Sequence, residues 1–332
     1  MLFKSLLVAG TASASCLHGL YRRAEGEVEI PQFGYEDTFG PLNWAALAPE
    51  NEACKSGKNQ SPINIGLQHH PKPITITNAR PDSSVSLATE KPVIDIPQQA
   101  VEFENLNTTI EVVVNGTTTF GGNQFGLAQF HIHTPSEHRI NREYFPLEVH
   151  MVHKGIADET QIVVLALMFE LCTQSSDPII ASIAPHLDAI KEAGSKTSIE
   201  SGVDFSGVLS AVQSSNIFQY SGSLTTPPCA EGVTFLAVET PLKINVPDFN
   251  AIKKIVKYNS RLSQNKLGAD NIIGVAANSG YTAGGNETVS QEATPAAEGP
   301  APGSSVTISE ISGSPVASPL VGVVQRGLRF RY

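Results

Sequence analysis

The stretch Gln129-Phe130-His131-Ile132-His133-Thr134-Pro135-Ser136-Glu137-His138 constrains this chain more than any other. Residues i and i+2 of a β-strand point to the same side of the sheet. His131 and His133 therefore put two imidazoles on one face, near enough for a single metal ion to touch both. A second segment, Leu147-Glu148-Val149-His150-Met151-Val152-His153, alternates in the same way and offers His150. If that strand lies beside the first, three neutral imidazoles converge. Three histidines with one position left open is the arrangement of a catalytic zinc site rather than a closed structural one. Taken alone, a His-x-His pair does not identify a metal site, because histidines are common on surfaces and in cores.

Two further motifs lie on either side of the histidine segments: Gln60-Ser61-Pro62-Ile63-Asn64-Ile65 and Ser223-Leu224-Thr225-Thr226-Pro227-Pro228-Cys229. With them the chain resembles the α-class carbonic anhydrases, of the secreted kind found in eukaryotic microbes, over residues 33–271. The resemblance implies a carbonate dehydratase, a lyase that reversibly hydrates carbon dioxide to bicarbonate and a proton by means of a zinc-bound hydroxide. It implies that His131, His133 and His150 hold Zn2+. Gln129, Glu148 and a backbone carbonyl around Asn259 would fix their second nitrogens. Thr225 and Glu137 would be the catalytic pair, Thr225 accepting a hydrogen bond from the hydroxide and giving its own proton to Glu137. Val152, Val164, Leu224, Thr226 and Phe235 would form the substrate pocket, apolar because carbon dioxide has no charge to grip. Tyr35 would order water, Cys54 and Cys229 would form a disulfide, and His138 and Tyr220 would be buried, hydrogen-bonded structural residues. His153 reads as core. His69, His70 and His186 have no assignable role. Independently of the resemblance, Glu148 stands two residues before His150 and so shares its face.

The chain departs from the family's pattern at two places. Many members carry a histidine proton shuttle where this chain has Asn107 or Thr108, neither of which titrates near neutrality. Phe235 stands where many relatives have a tryptophan, which alters the pocket's size more than its apolar character.

The period-two, β-branched segments at 108–114, 127–133, 147–153, 161–169 and 233–238 read as strands. Helical patterns are few and short, at 178–191, 204–209 and 248–256. The expected fold class is α+β, mainly β. The resemblance makes it a large central, twisted, mostly antiparallel sheet with short peripheral helices.

The first 15 residues read as a signal peptide: one lysine, an apolar run too short to span a membrane, then small residues. Residues 16–32 read as a leader or propeptide, with Arg22-Arg23 either a processing site or an exposed basic pair. Residues 33–277 form the globular domain. Residues 278–332, rich in Ser, Thr, Gly, Ala and Pro, hold too little apolar surface to offset ordering entropy and read as a disordered tail. The final apolar segment carries three arginines, which suits a lipid-anchor signal poorly. A secreted or extracellular location follows, with cell-wall or surface association open. Sequons at Asn59, Asn107, Asn115 and Asn286 point to a glycoprotein. Cys172 reads as a buried free thiol.

A net charge of −10 without a basic cluster in mid-chain argues against nucleic acid as a partner. Carbon dioxide and bicarbonate are the expected partners, with no transmembrane helix and no oligomeric state assigned. The competing class is a non-catalytic binding domain on the same fold. Such domains have typically lost a zinc histidine, whereas this chain retains all three with Thr225 and Glu137. Esterase action would be a side activity of the same site.

Overall fold

Segments whose apolar residues recur every second position become strands here, and the sheet they build leaves one face for the histidines. The computed structural model describes residues 28–66 and 85–278. The signal and most of the leader, Cys16, His69, His70, the Asn286 sequon and the tail beyond 278 lie outside them. In chain order the strands are β1 (Asn64–Ile65), β2 (Val85–Leu87), β3 (Val93–Asp95), β4 (Val101–Asn105), β5 (Ile110–Phe120), β6 (Asn123–His133), β7 (Arg139–Ile140), β8 (Leu147–Gly155), β9 (Ile162–Cys172), β10 (Lys196–Ile199), β11 (Ile217–Ser223) and β12 (Glu231–Asn245). The α-helices are α1 (Trp44–Leu47), α2 (Ala53–Ser56), α3 (Pro178–Ile183), α4 (Ser206–Ser214), α5 (Val246–Val256) and α6 (Ile272–Asn278).

Among the described residues ten strands form one sheet in the order β10-β4-β5-β6-β8-β9-β12-β11-β2, with β3 added along β5. Its pairings are antiparallel except between β9 and β12. A small parallel pair, β1 with β7, stands apart from it. The expected large, mostly antiparallel sheet is therefore present, and most of the anticipated strands run longer than their sequence patterns.

The central strands are buried on both faces, so their sequences read as nearly continuous apolar runs. Odd-numbered residues of β8 and β9, among them Leu147, Val149, Met151, Leu165 and Phe169, join the larger core. That core is closed by Ile179, Ile180 and Ile183 of α3, Val208 and Val212 of α4, and Ile252 and Val256 of α5. Even-numbered residues, Val152, Val164, Ala166 and Met168, face the other way. There they meet Ile63, Ile65, Ile140 and Phe145 from around the small pair. The histidines share this second face.

The helix expected over 178–191 stops at Ile183, and Ala184–Ile190 tightens to a 3-10 turn. Pro185 lacks an N–H and its ring crowds the carbonyl four residues back, which ends the α form. The other two helices extend beyond their patterns. Asn245 caps α5 by accepting the Asp248 N–H at 2.8 Å. Cys172 ends β9 half-buried rather than buried, a correction to its expected place in the core. As the last residue of the strand, it leaves the sheet just where the chain turns towards α3.

Candidate metal centre

β6 carries His131 and His133, and β8 places His150 directly opposite His131. The residues that precede them decide which face they occupy. Leu127 pairs with His153 but Gln129 pairs with Val152, so β6 holds one extra residue at Ala128. This bulge switches parity. Before it Phe125 and Leu127 face the large core; after it Phe130 and Ile132 do, leaving Gln129, His131 and His133 on the opposite face.

The three imidazole rings lie 4.7 to 5.4 Å apart, centroid to centroid. One ring nitrogen from each falls within 4.8 Å of the others. All three residues are buried. The tautomers follow from their partners, each of which can only accept. His131 donates from Nδ1 to Gln129 Oε1 at 2.8 Å. His133 donates from Nδ1 to the Asn259 carbonyl at 2.9 Å. His150 donates from Nε2 to Glu148 Oε1 at 2.7 Å. The lone pairs left over belong to Nε2 of His131, Nε2 of His133 and Nδ1 of His150. His133 Nε2 and Glu137 Oε2 are buried 3.5 Å apart and have no hydrogen-bond partner among the described residues. Three lone pairs and an orphaned carboxylate oxygen, with no donor between them, fit a cation. Nitrogen-only ligands suit a transition metal ion, Zn2+ being one of those that imidazole favours.

Burial lowers the pKa of His133 to about 4 and lowers that of His150, which keeps both neutral, the form that ligates. Burial pushes Glu148 up, but the neighbouring His138 and His150 outweigh it and hold the carboxyl well below the usual range. Glu148 also accepts the backbone N–H groups of Glu137 and His138, each at 2.8 Å. His138 donates to Glu148 at 2.6 Å and meets Tyr220 Oη at 2.6 Å, and Tyr220 in turn meets Ser61 Oγ at 2.9 Å. His138, Glu148 and His150 are thus one hydrogen-bonded chain behind the site rather than a second metal site. Burial raises Glu137 to about 7, against the pull of His150, the Arg261 N–H and the Thr225 hydroxyl. A cation among the histidines would return it to the ionised form.

Thr225 and Thr226 follow β11, in a turn held by the Cys229 N–H on the Thr226 carbonyl at 2.8 Å. The Thr225 hydroxyl hydrogen-bonds Glu137. Val152, Val164, Leu224 and Phe235 are buried together in the second core, with Phe235 5.7 Å from the His150 ring. Tyr35 lies in an aromatic group with Phe33 and Trp44 beside the Cys54–Cys229 disulfide. Thr108 is buried, whereas Asn107 beside it is exposed. His153 is buried and meets the Met151 carbonyl at 3.0 Å.

Asn259 is tied at every polar group. Its amide donates to the Thr108 and Ile132 carbonyls, its Oδ1 accepts the Thr134 N–H at 2.7 Å, and its carbonyl holds His133. The chain reaches it through Lys257, whose φ of 57° bends the backbone sharply after α5. Sequence reasoning missed Arg261. Its N–H donates to Glu137 at 2.9 Å, and its buried guanidinium donates to the carbonyls of Ser61 and Cys54. It also missed Glu104 and Glu111, both fully buried, where Glu111 pairs with His131 and Glu104 with Glu111 across the sheet. Charged residues at alternating positions inside apolar strands were the available signal.

The family model described as eukaryotic-type carbonic anhydrase matches residues 39–272. A carbonic anhydrase of Pectobacterium atrosepticum is 30% identical over 236 residues, 68% of this chain and 84% of its own. Alpha carbonic anhydrase 7 of Arabidopsis thaliana is 32% identical over 238 residues, 71% of this chain and 79% of its own. Among solved structures, the fungal alpha carbonic anhydrase of Aspergillus oryzae matches with a TM-score of 0.66 and 38% identity, covering 74% of this chain and 98% of that one.

Proposed function

The chain belongs to the eukaryotic-type, α-class carbonic anhydrases, enzymes that interconvert carbon dioxide and bicarbonate, and from that premise we propose that it works through Zn2+ held by His131, His133 and His150. The observation that carries this reading is the set of three inward lone pairs fixed by Gln129, Asn259 and Glu148. Bound there, zinc supplies Lewis acidity, generating a nucleophile from water near neutral pH; carbonic anhydrase is the standard example of this effect.

The chain's own residues then do four things. Gln129, Glu148 and the Asn259 carbonyl hold each imidazole in one tautomer and orientation. Thr225 commits its proton to Glu137, so its oxygen accepts but does not donate towards the site; that orients a nucleophile's lone pair and disfavours ligands without a proton to give. Arg261, through its backbone N–H on Glu137 Oε1, helps hold that carboxylate in place. Val152, Val164, Leu224 and Phe235 provide the dry wall against which an uncharged substrate rests. Neither Asn107 nor Thr108 carries a proton out, so we assign that step to solvent and buffer.

Among the described residues no helix is long and apolar enough to cross a membrane. The Cys54–Cys229 disulfide suits an oxidising compartment, and we read the chain as a secreted zinc enzyme. The test is His150→Ala. Two imidazoles leave the metal under-coordinated, so elemental analysis should find about one zinc per chain in the parent and little in the variant, with carbon dioxide hydration lost in parallel. Full zinc and normal hydration in His150→Ala would overturn the assignment.

A further inference from the structure

Away from the metal centre, an open cleft of about 380 Å³ lies between the end of α5 and the loop that leads into β8. We propose that this cleft binds a linear acidic polysaccharide, a polymer of uronic acids. Its walls carry two tyrosines, Tyr144 and Tyr258, exposed by 64% and 55%. Exposed aromatic faces are apolar planes with a polar tip, suited to lying against the flat faces of sugar rings. The same cleft is lined by Lys253, in the last turn of α5, and Lys257, the residue that ends it, both exposed. Lys253 sits over the Phe249 ring, 5.1 Å from its centroid, which holds one charge in place.

Among the described residues no aspartate or glutamate lines the cleft, although the chain has 32 acidic residues against 22 lysines and arginines. An anion is therefore favoured here and a cation is not. Lysines in the last turn of a helix also answer its dipole, which accounts for Lys253 but not for two half-exposed tyrosines beside it. A peptide is the poorer occupant. Pro135 and Pro146 in the wall have no N–H, and those of Thr134 and Lys257 are already bonded to Asn259 Oδ1 and the Lys253 carbonyl. A peptide's carbonyls would find few donors, whereas carboxylates spaced along a sugar chain need only the two ammonium groups.

The experiment is titration of the full chain with a hexamer of galacturonic acid, read by calorimetry. Saturable binding with a Kd below about 1 mM is expected. Lys253→Gln with Lys257→Gln should weaken it about tenfold, as should Tyr144→Ala with Tyr258→Ala. Unfolding curves matching the parent's establish that these variants fold. In the parent itself, the hexamer should protect Lys253 and Lys257 from acetylation, read by mass spectrometry. Absence of saturation or of protection overturns the proposal. Equal affinity for a neutral glucan hexamer overturns the acidic requirement. Equal affinity for polyglutamate, with the tyrosine variants unaffected, reduces the site to unspecific charge and overturns it as well.

Discussion

Replacing both Cys54 and Cys229 with alanine should cost about 6 kcal/mol of stability. The bond closes a loop with a sequence separation of 175 residues. In the chain-entropy model such a loop removes about 17 cal/mol/K from the unfolded ensemble, about 5 kcal/mol at 25 °C. Taking two buried sulfur atoms out of the cluster with Trp44 and Phe33 adds a packing loss on the order of 1 kcal/mol. The native contacts of the two residues otherwise run through their carbonyls: Cys54 O accepts from Arg261 and Asn271, and Cys229 O accepts from Gln60. Alanine keeps these, so the folded variant should still bind zinc and turn over. Equilibrium urea unfolding of parent and variant measures the difference. If the effect lies in the unfolded chain, the uncrosslinked variant exposes more surface when unfolded and its m-value rises as its midpoint falls. A loss below about 2 kcal/mol with an unchanged m-value would refute the loop argument. Zinc loss under conditions where the variant remains folded would refute the claim that the carbonyl contacts suffice.

Three further outcomes are expected. Glu148→Gln, which removes the carboxylate shared by His138, His150 and two backbone N–H groups, should weaken zinc binding about 10- to 100-fold in competition with a chelator. Turnover should rise with imidazole concentration while kcat/KM stays nearly constant. An acid of pKa about 7 releases only roughly 10³ protons per second to water, and no histidine occupies 107 or 108; a kcat well above that, flat with buffer, would contradict it. For acid stability, burial lowers His153 to about 4 from 6.5. Between those values the unfolded chain holds a proton that the folded one refuses, so stability is full above about pH 6.5 and falls as pH drops towards 4, by up to about 3 kcal/mol. In metal-free protein, His153→Gln should flatten that part of the stability profile, and an identical slope in parent and variant would count against the assignment.

Which residues share a face within a strand was legible in the sequence alone. Period two put His131 with His133, and Glu148 with His150 and Val152, because side-chain alternation is a property of the local backbone. The motif order was enough to suggest the family, and the family match and the solved relatives bear that out. Everything that depends on a second strand or a distant loop waited for the tertiary structure. The bulge at Ala128 decides that Leu127 and His131, which strict alternation would put together, face opposite ways. Register decides that His150 stands opposite His131 and that Glu111 and Glu104 continue the same row. The parallel pairing of β9 with β12 requires a connection that no local pattern reveals. Arg261 was missed because its contacts, to Ser61, Cys54 and Glu137, span 124 to 207 residues. Tautomers are also set from outside: which nitrogen of each histidine is left for a metal depends on where Gln129, Asn259 and Glu148 place an acceptor. A strand's periodicity is fixed by its own dihedrals, but register, bulges and buried hydrogen bonds are fixed only when distant segments compete for the same burial.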